Sequence, residues 1–277
     1  GGRQDDRAER VRSRVLDQAR GNPAARNWVE SLPDRYFRVH DATEIAWHIE
    51  GSVDRPAGVP RVRARARPEE RCTELLVVAD DRPGLLARIA AALTANRLDI
   101  LWAHIHSRRV AGGTAEAIDL IGVRRGARDE LDPQTLAHFE KDLGRLLCDQ
   151  TTPEALLAER GVASQRGGAW SNVRRGPPVV TDVEIDNRIS PTHTVVDVFT
   201  RDRPGVLWGI ASALEEVGLS IAVARVGTEG DRVVDAFYVA DLDGAKIFEP
   251  AATEALKAAI RRRLDPGAPG APGAHGV

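Results

Sequence analysis

At 277 residues the chain has room for roughly two domains of ordinary size. A hydrophobic fraction of 42%, 29% charged residues and a net charge of −2 fit a soluble globular protein and exclude a global basic field that would draw it to nucleic acid or membrane. Cys72 and Cys148 are too few for a disulfide scaffold, and with no secretory leader and no apolar run near the ~18 residues of a membrane span the expected location is the cytoplasm.

In chain order, residues 5–20 carry Val11, Val15 and Leu16 at helical spacing, and this first helix ends near Gly21-Asn22-Pro23. A second short helix is predicted over 24–32. The stretch Leu32-Pro33-Asp34-Arg35-Tyr36-Phe37 is aromatic and is expected to dock against a neighbour. Residues 41–49 read as a third helix with an acidic start at Asp41 and Glu44, and Gly51 to Pro60 as a linker. From Val59 to Pro68, Arg61, Arg63, Arg65 and Arg67 alternate with Val62, Ala64 and Ala66, which predicts a strand with a solvated basic face. No aromatic residue interleaves with these arginines to stack a base, so nucleic acid is not an expected partner.

The pattern that organises the rest occurs twice. Asp81-Arg82-Pro83-Gly84 and Asp202-Arg203-Pro204-Gly205 each follow an apolar, β-branched run and open an amphipathic helix. Over 81–100 and 202–221, at a constant offset of 121, 11 of 20 positions are identical. Chance does not hold one register that long, so one module is present twice. The first copy reads as strand 74–79, helix 83–95, strand 99–109, a Gly112-Gly113 turn, strand 115–123 and a helix from Pro133 to Cys148. Residues 150–178 read as a polar insertion and 179–189 as the closing strand of that module. The second copy reads as strand 193–200, helix 204–217, strand 219–228, a turn at Glu229-Gly230-Asp231, strand 232–241 and helix 250–264, with no fourth strand and hence an edge that needs cover. Its hairpin is five residues shorter, since Asp119 matches Asp235 at an offset of 116. The end of the chain, PGAPGAPGAHGV, cannot build a core and is expected to be disordered. The fold class is therefore α+β: two ferredoxin-like βαββαβ modules in tandem behind a short helical segment.

Each duplicated phrase predicts a strand, a tight turn and a bare helix N-terminus. Pro83 and Pro204 suit the first helical position, and Gly84 and Gly205 let another molecule approach the backbone. Free amides of Gly84 and Leu85, or Gly205 and Val206, favour an anion; Asp81 or Asp202 offers a carboxylate to an ammonium. A zwitterionic amino acid carries both groups one carbon apart. The alternative is a well-capped helix whose Asp serves its own backbone.

The strings TELLVVADDRPGLLARIAAALTANRLDI and HTVVDVFTRDRPGVLWGIASALEEVGLSI resemble ACT domains, small amino-acid-sensing modules of ferredoxin-like fold. With LPDRYFRVHDATEIAWHI, VRARARPEERCTEL, VEIDNRISPTHTVVDVFTRDRPGVL and RVVDAFYVADLDGAKI, the chain resembles the C-terminal part of PII uridylyltransferase/uridylyl-removing enzymes over roughly residues 30–264. That resemblance implies enzymes that uridylylate and de-uridylylate the nitrogen regulatory protein PII. A nucleotidyltransferase domain and a metal-dependent HD domain do the chemistry, and tandem ACT domains sense glutamine. It divides the chain into 1–58, a tail after an HD domain; 59–190, a first ACT domain with the 150–178 insertion; 191–264, a second; and 265–277, the tail. The expected partners are free L-glutamine, PII through the full-length enzyme, and a second chain paired through ACT sheets. A divalent metal belongs to the full-length family's catalytic domains, and no cofactor is expected in this chain. The alternative is a freestanding tandem ACT module that binds another amino acid or a protein. A chain that begins Gly-Gly and lacks Met reads as a fragment.

No catalytic centre is expected here. There is no Gly-Ser pair followed by Asp-x-Asp, and His40-Asp41 lacks upstream His and Asp ligands, with His48 a lone candidate. His104 and His106 share a strand face but have no Cys or carboxylate cluster beside them, and read as surface or interface histidines. Cys72 and Cys148 read as structural thiols, Trp102 and Trp208 as packing residues. The expected ligand residues are Asp81, Arg82, Pro83, Gly84 and Leu85 in the first turn and Asp202, Arg203, Pro204, Gly205 and Val206 in the second. The helix exits Leu98-Asp99-Ile100 and Leu219-Ser220-Ile221 would close the pockets or lie at a module interface.

Overall fold

In the computed structural model, nine helices and nine strands are described over residues 2–110, 113, 115–162, 180–229 and 232–265. The expected disordered tail from 266, most of the insertion (163–178) and parts of both hairpin turns lie outside these residues. In chain order the elements are α1 Gly2–Gln18, α2 Pro23–Glu30, α3 Asp34–Val39, α4 Ala42–Ser52, β1 Arg61–Arg67, β2 Cys72–Asp80, α5 Leu85–Ala95, β3 Asp99–Arg109, β4 Ala115–Arg124, α6 Pro133–Leu147, α7 Pro153–Glu159, β5 Asp182–Asp186, β6 Thr194–Arg201, α8 Val206–Glu216, β7 Ser220–Arg225, β8 Thr228–Glu229, β9 Arg232–Ala240 and α9 Pro250–Leu264. Helix α7 falls inside the stretch read as an insertion. The chain divides into two compact units.

The first unit comprises residues 1–65, 74–82 and 105–121. Helices α1 to α4 gather around Tyr36 and Phe37, both inaccessible to solvent. The aromatic stretch thus docks as expected, but as a helix of its own. Helix α4 begins with a full capping box: the Asp41 carboxylate accepts from the Thr43 and Glu44 amides, and Glu44 accepts from the Asp41 amide. The strand order is β1-β2-β4-β3. The arginine face of β1 is not solvated as its alternation suggests. Arg61 donates to the carbonyls of Val53 and Asp54, and Arg63 to that of Trp47, so both serve the end of α4. Arg63 and Arg65 lie over the Trp47 ring, and Arg65 pairs with the buried Glu74 at 2.5 Å.

The second unit holds residues 66–73, 83–104 and 122 onward. Its strand order is β3-β7-β9-β6-β5, with β8 beside β9. Helix α5 lies against α6, α7 and α8, which explains why nearly every residue from Leu85 to Ala95 is buried: a helix apolar all round has neighbours on several sides. Trp102 lies flat on Gly122, a close approach that only a residue without Cβ allows. Strand β5 corrects one expectation. It does not close the first repeat; it pairs antiparallel with β6, from Asp182 opposite Phe199 to Asp186 opposite Val195. The second repeat therefore has its fourth strand, supplied ahead of its first, and that edge of β6 is covered. β1 stands beside β2 in the same way. The ferredoxin-like class holds for both repeats; in each the edge strand precedes the β-α-β-β-α series.

Candidate functional site

The second turn starts where β6 ends. The Val206 amide donates to the Arg203 carbonyl at 3.3 Å, and Gly205 has φ 84° and ψ 4°. These are the hydrogen bond and third corner of a type II turn, with Pro204 at the second corner. Pro204 is thus not the first helical residue, as its position had suggested; Gly205 caps α8 and its carbonyl accepts from Gly209 at 2.9 Å. Gly205 is required because an L side chain is strained at positive φ. Since Val206 spends its amide on the turn, the donors left at this helix end include those of Gly205 and Leu207.

Both line a cleft of about 250 Å³ with Asp202, Arg203, Pro204 and Val206. The opposite wall is Thr94, Leu98, Asp99, Ile100 and Leu101, the exit of α5 and start of β3, and Arg124, Val226 and Asp235 complete it. The structure thus brings together the second turn and the helix exit of the first repeat. Leu219, Ser220 and Ile221 are not among the lining residues. Arg203 is held by the end of α9: it donates to the Leu264 carbonyl and lies 3.6 Å from Asp265. Arg124 stands 4.0 Å from Asp99.

Asp235 is the residue that sequence reasoning missed. It is 1% exposed; one oxygen accepts from the Gly227 amide at 3.2 Å, and the other has no partner among the described residues. Burial pushes its carboxyl up to about 8; the Gly227 amide opposes the shift and the Asp202 charge adds to it. The available signal was the acidic residue at matched hairpin positions, Asp119 and Asp235.

The first turn has the same backbone corner, Gly84 at φ 73° and ψ 7°, followed by α5. In the second unit, the Glu215 carboxylate stands where a Cβ on Gly84 would be, and Arg88 lies 3.6 Å from it. Leu85 is buried; Arg82 is half-buried. In the first unit, Asp81 is an exposed residue whose carboxylate accepts from Ser107 Oγ at 2.6 Å. Crowding of that carboxyl raises its pKa, and the Ser107 bond offsets part of the rise. Asp119 is 1% exposed, and burial, then Asp81, hold its carboxyl well above the usual range.

The histidines differ from expectation. His106, read as a surface or interface residue, is buried within the first unit, and its Nε2 lies 3.2 Å from Nε2 of His40, while Tyr36 and Nδ1 of His48 share a hydrogen bond of 2.7 Å. Three residues read separately in the sequence form one aromatic cluster in the first unit. Among the described residues no group of three or more His, Cys, Asp or Glu is placed to hold a metal ion. Among them, too, no helix is long and apolar enough to cross a membrane.

A family pattern described as "ACR9-like, ACT-like domain" matches residues 182–266 and so begins at β5, the strand that pairs into the second repeat. The chain is also similar to proteins named bifunctional uridylyltransferase/uridylyl-removing enzyme. That of Phenylobacterium zucineum is 30% identical over 245 residues, covering 87% of this chain and 25% of the relative. That of Rhodospirillum rubrum is 32% identical over 264 residues, 88% of this chain and 27% of the relative. That of Gluconobacter oxydans is 36% identical over 211 residues, 75% and 21%. The chain spans about a quarter of the length of these relatives; over most of its own length it is similar to bifunctional uridylyltransferase/uridylyl-removing enzymes, and the ACT-like match falls on its second repeat.

Proposed function

We propose that the chain is an amino-acid-sensing regulatory segment, with L-glutamine as ligand, of an enzyme that adds and removes uridylyl groups on the protein PII. The observation that carries this reading is the cleft that joins the Asp202 turn to Leu98-Asp99-Ile100 around a buried carboxyl with an unused oxygen. The ligand's α-ammonium sits beside Asp202 and Asp235, which line the cleft together. Its α-carboxylate takes the amides of Gly205 and Leu207, at the positive end of α8. The side chain extends along the exit of α5. A ligand held this way ties the end of a first-repeat helix to the start of a second-repeat helix, and so favours one arrangement of the repeats. Driving such an equilibrium from 1:99 to 99:1 takes roughly 10⁴-fold preferential binding.

The test is a calorimetric titration of the chain with L-glutamine and with glutaramate, the same molecule without its α-amino group. Heat is expected only from glutamine. Asp202→Ala should weaken binding about tenfold to a hundredfold, the loss of one charge-assisted hydrogen bond of ~1.5–3 kcal/mol. A folded chain that gives no heat with glutamine or any other amino acid contradicts the reading.

A further inference from the structure

The two turns match in backbone but not in what covers them. Helices α5 and α8 pack so that the end of each lies over the start of the other. Thr94 covers Gly205, and Glu215 covers Gly84; the two covering residues are equivalent, 121 positions apart. Thr94 turns its hydroxyl onto the Ala90 carbonyl at 2.7 Å and offers Gly205 only a methyl, 3.6 Å from the position of a Cβ. The cleft beside Gly205 stays open and is lined by Asp235, one of whose buried oxygens has no hydrogen-bond partner among the described residues. At Gly84 the covering group is itself an anion at a helix N-terminus, where the macrodipole favours one. Arg88 holds it at 3.6 Å, and also donates to the Pro83 carbonyl. An attached carboxylate acts at an effective concentration in the millimolar range or above, so a free amino acid must compete with it.

We infer that the chain has a single amino-acid site, at the Asp202 turn, and that the Glu215 carboxylate fills the matching position at the start of α5. The inference rests on the reading that the Asp202 turn binds an amino acid. Duplication made two turns; one residue of difference, Glu for Thr, keeps only the second available to a free ligand.

The experiment is a titration of the full chain with L-glutamine, followed by the amide signals of Gly84 and Gly205 and by calorimetric stoichiometry. Wild type is expected to shift Gly205 and leave Gly84 unmoved, with about one ligand per chain. Glu215→Thr is expected to shift both, with about two. Glu215 is partly exposed and its ion pair is peripheral, so thermal melting of the variant should stay within a few degrees of wild type and exclude misfolding as the cause. Two ligands on wild type, or a Gly84 response in wild type, overturns the inference while leaving the amino-acid reading intact. One ligand on a folded Glu215→Thr also overturns it. Silence at both turns in both proteins overturns the amino-acid reading first and this inference with it.

Discussion

Asp235→Asn is expected to be more stable than wild type at pH 8 and close to it at pH 4. The carboxyl is raised in the folded state to about 8 from a usual value near 3.8, first by burial. Between those values the folded chain binds a proton that the unfolded chain has lost, so stability falls as pH rises. The favourable contribution is fully present below about pH 4 and is gone above about pH 8. Each pH unit in that window is worth about 1.4 kcal/mol, so the effect sums to several kcal/mol. Asparagine keeps an oxygen for the Gly227 amide and cannot ionise. Urea unfolding at pH 4.5, 6 and 8 checks this: wild type should lose midpoint steadily and the variant much less. Asp119 and Asp81 are shifted in the same direction, so some slope should remain. Equal slopes in the two proteins contradict the assignment. The same carboxyl predicts proton release when an ammonium enters the cleft near neutral pH, read as a dependence of binding heat on buffer ionisation enthalpy.

Glu116→Ala is expected to destabilise the chain by about 3–5 kcal/mol, because it takes from two buried guanidiniums the carboxylate they share. Glu116 is 4% exposed. One of its oxygens accepts from Arg55 at 2.8 Å and the other from Arg108 at 2.7 and 2.6 Å. Arg55 also donates to Asp80 and to the Val59 carbonyl, and Arg108 to Ser31. Within the first unit this cluster ties the segment after α4, and α2's end, to β2, β3 and β4. The exposed pair Arg38–Asp5 has similar geometry at 2.6 Å but should be worth ~0–1 kcal/mol, since solvent screens it. Denaturation midpoints of Glu116→Ala and Asp5→Ala should therefore separate widely. A Glu116→Ala loss below about 1 kcal/mol contradicts the burial argument.

What the sequence made legible follows from local rules. The repeat, the two Gly corners and the helix after each were readable because a fixed offset of 121 and a 3.6-residue period leave direct marks on the letters. Choices made between distant segments were not. The alternation at 182–186 is the same whether that strand closes one repeat or opens the next; only its pairing with β6 decides. The arginine face of β1 looks solvated until α4 lays its C-terminal carbonyls over it. His40 and His106 are 66 positions apart, and no spacing rule predicts that they meet. Asp235 sits at an inward position of a hairpin, where an apolar residue is the ordinary expectation; an acidic one in both copies was the mark to follow. The contrast between Thr94 and Glu215 becomes meaningful only once α5 and α8 are known to lie against each other.

A crystal structure of the chain grown with L-glutamine tests the account most directly. Density is expected in the cleft at Gly205, with the α-ammonium beside Asp202 and the α-carboxylate against the first amides of α8. Glutamine seated at Gly84 in place of the Glu215 carboxylate, or bound away from both turns, would contradict it.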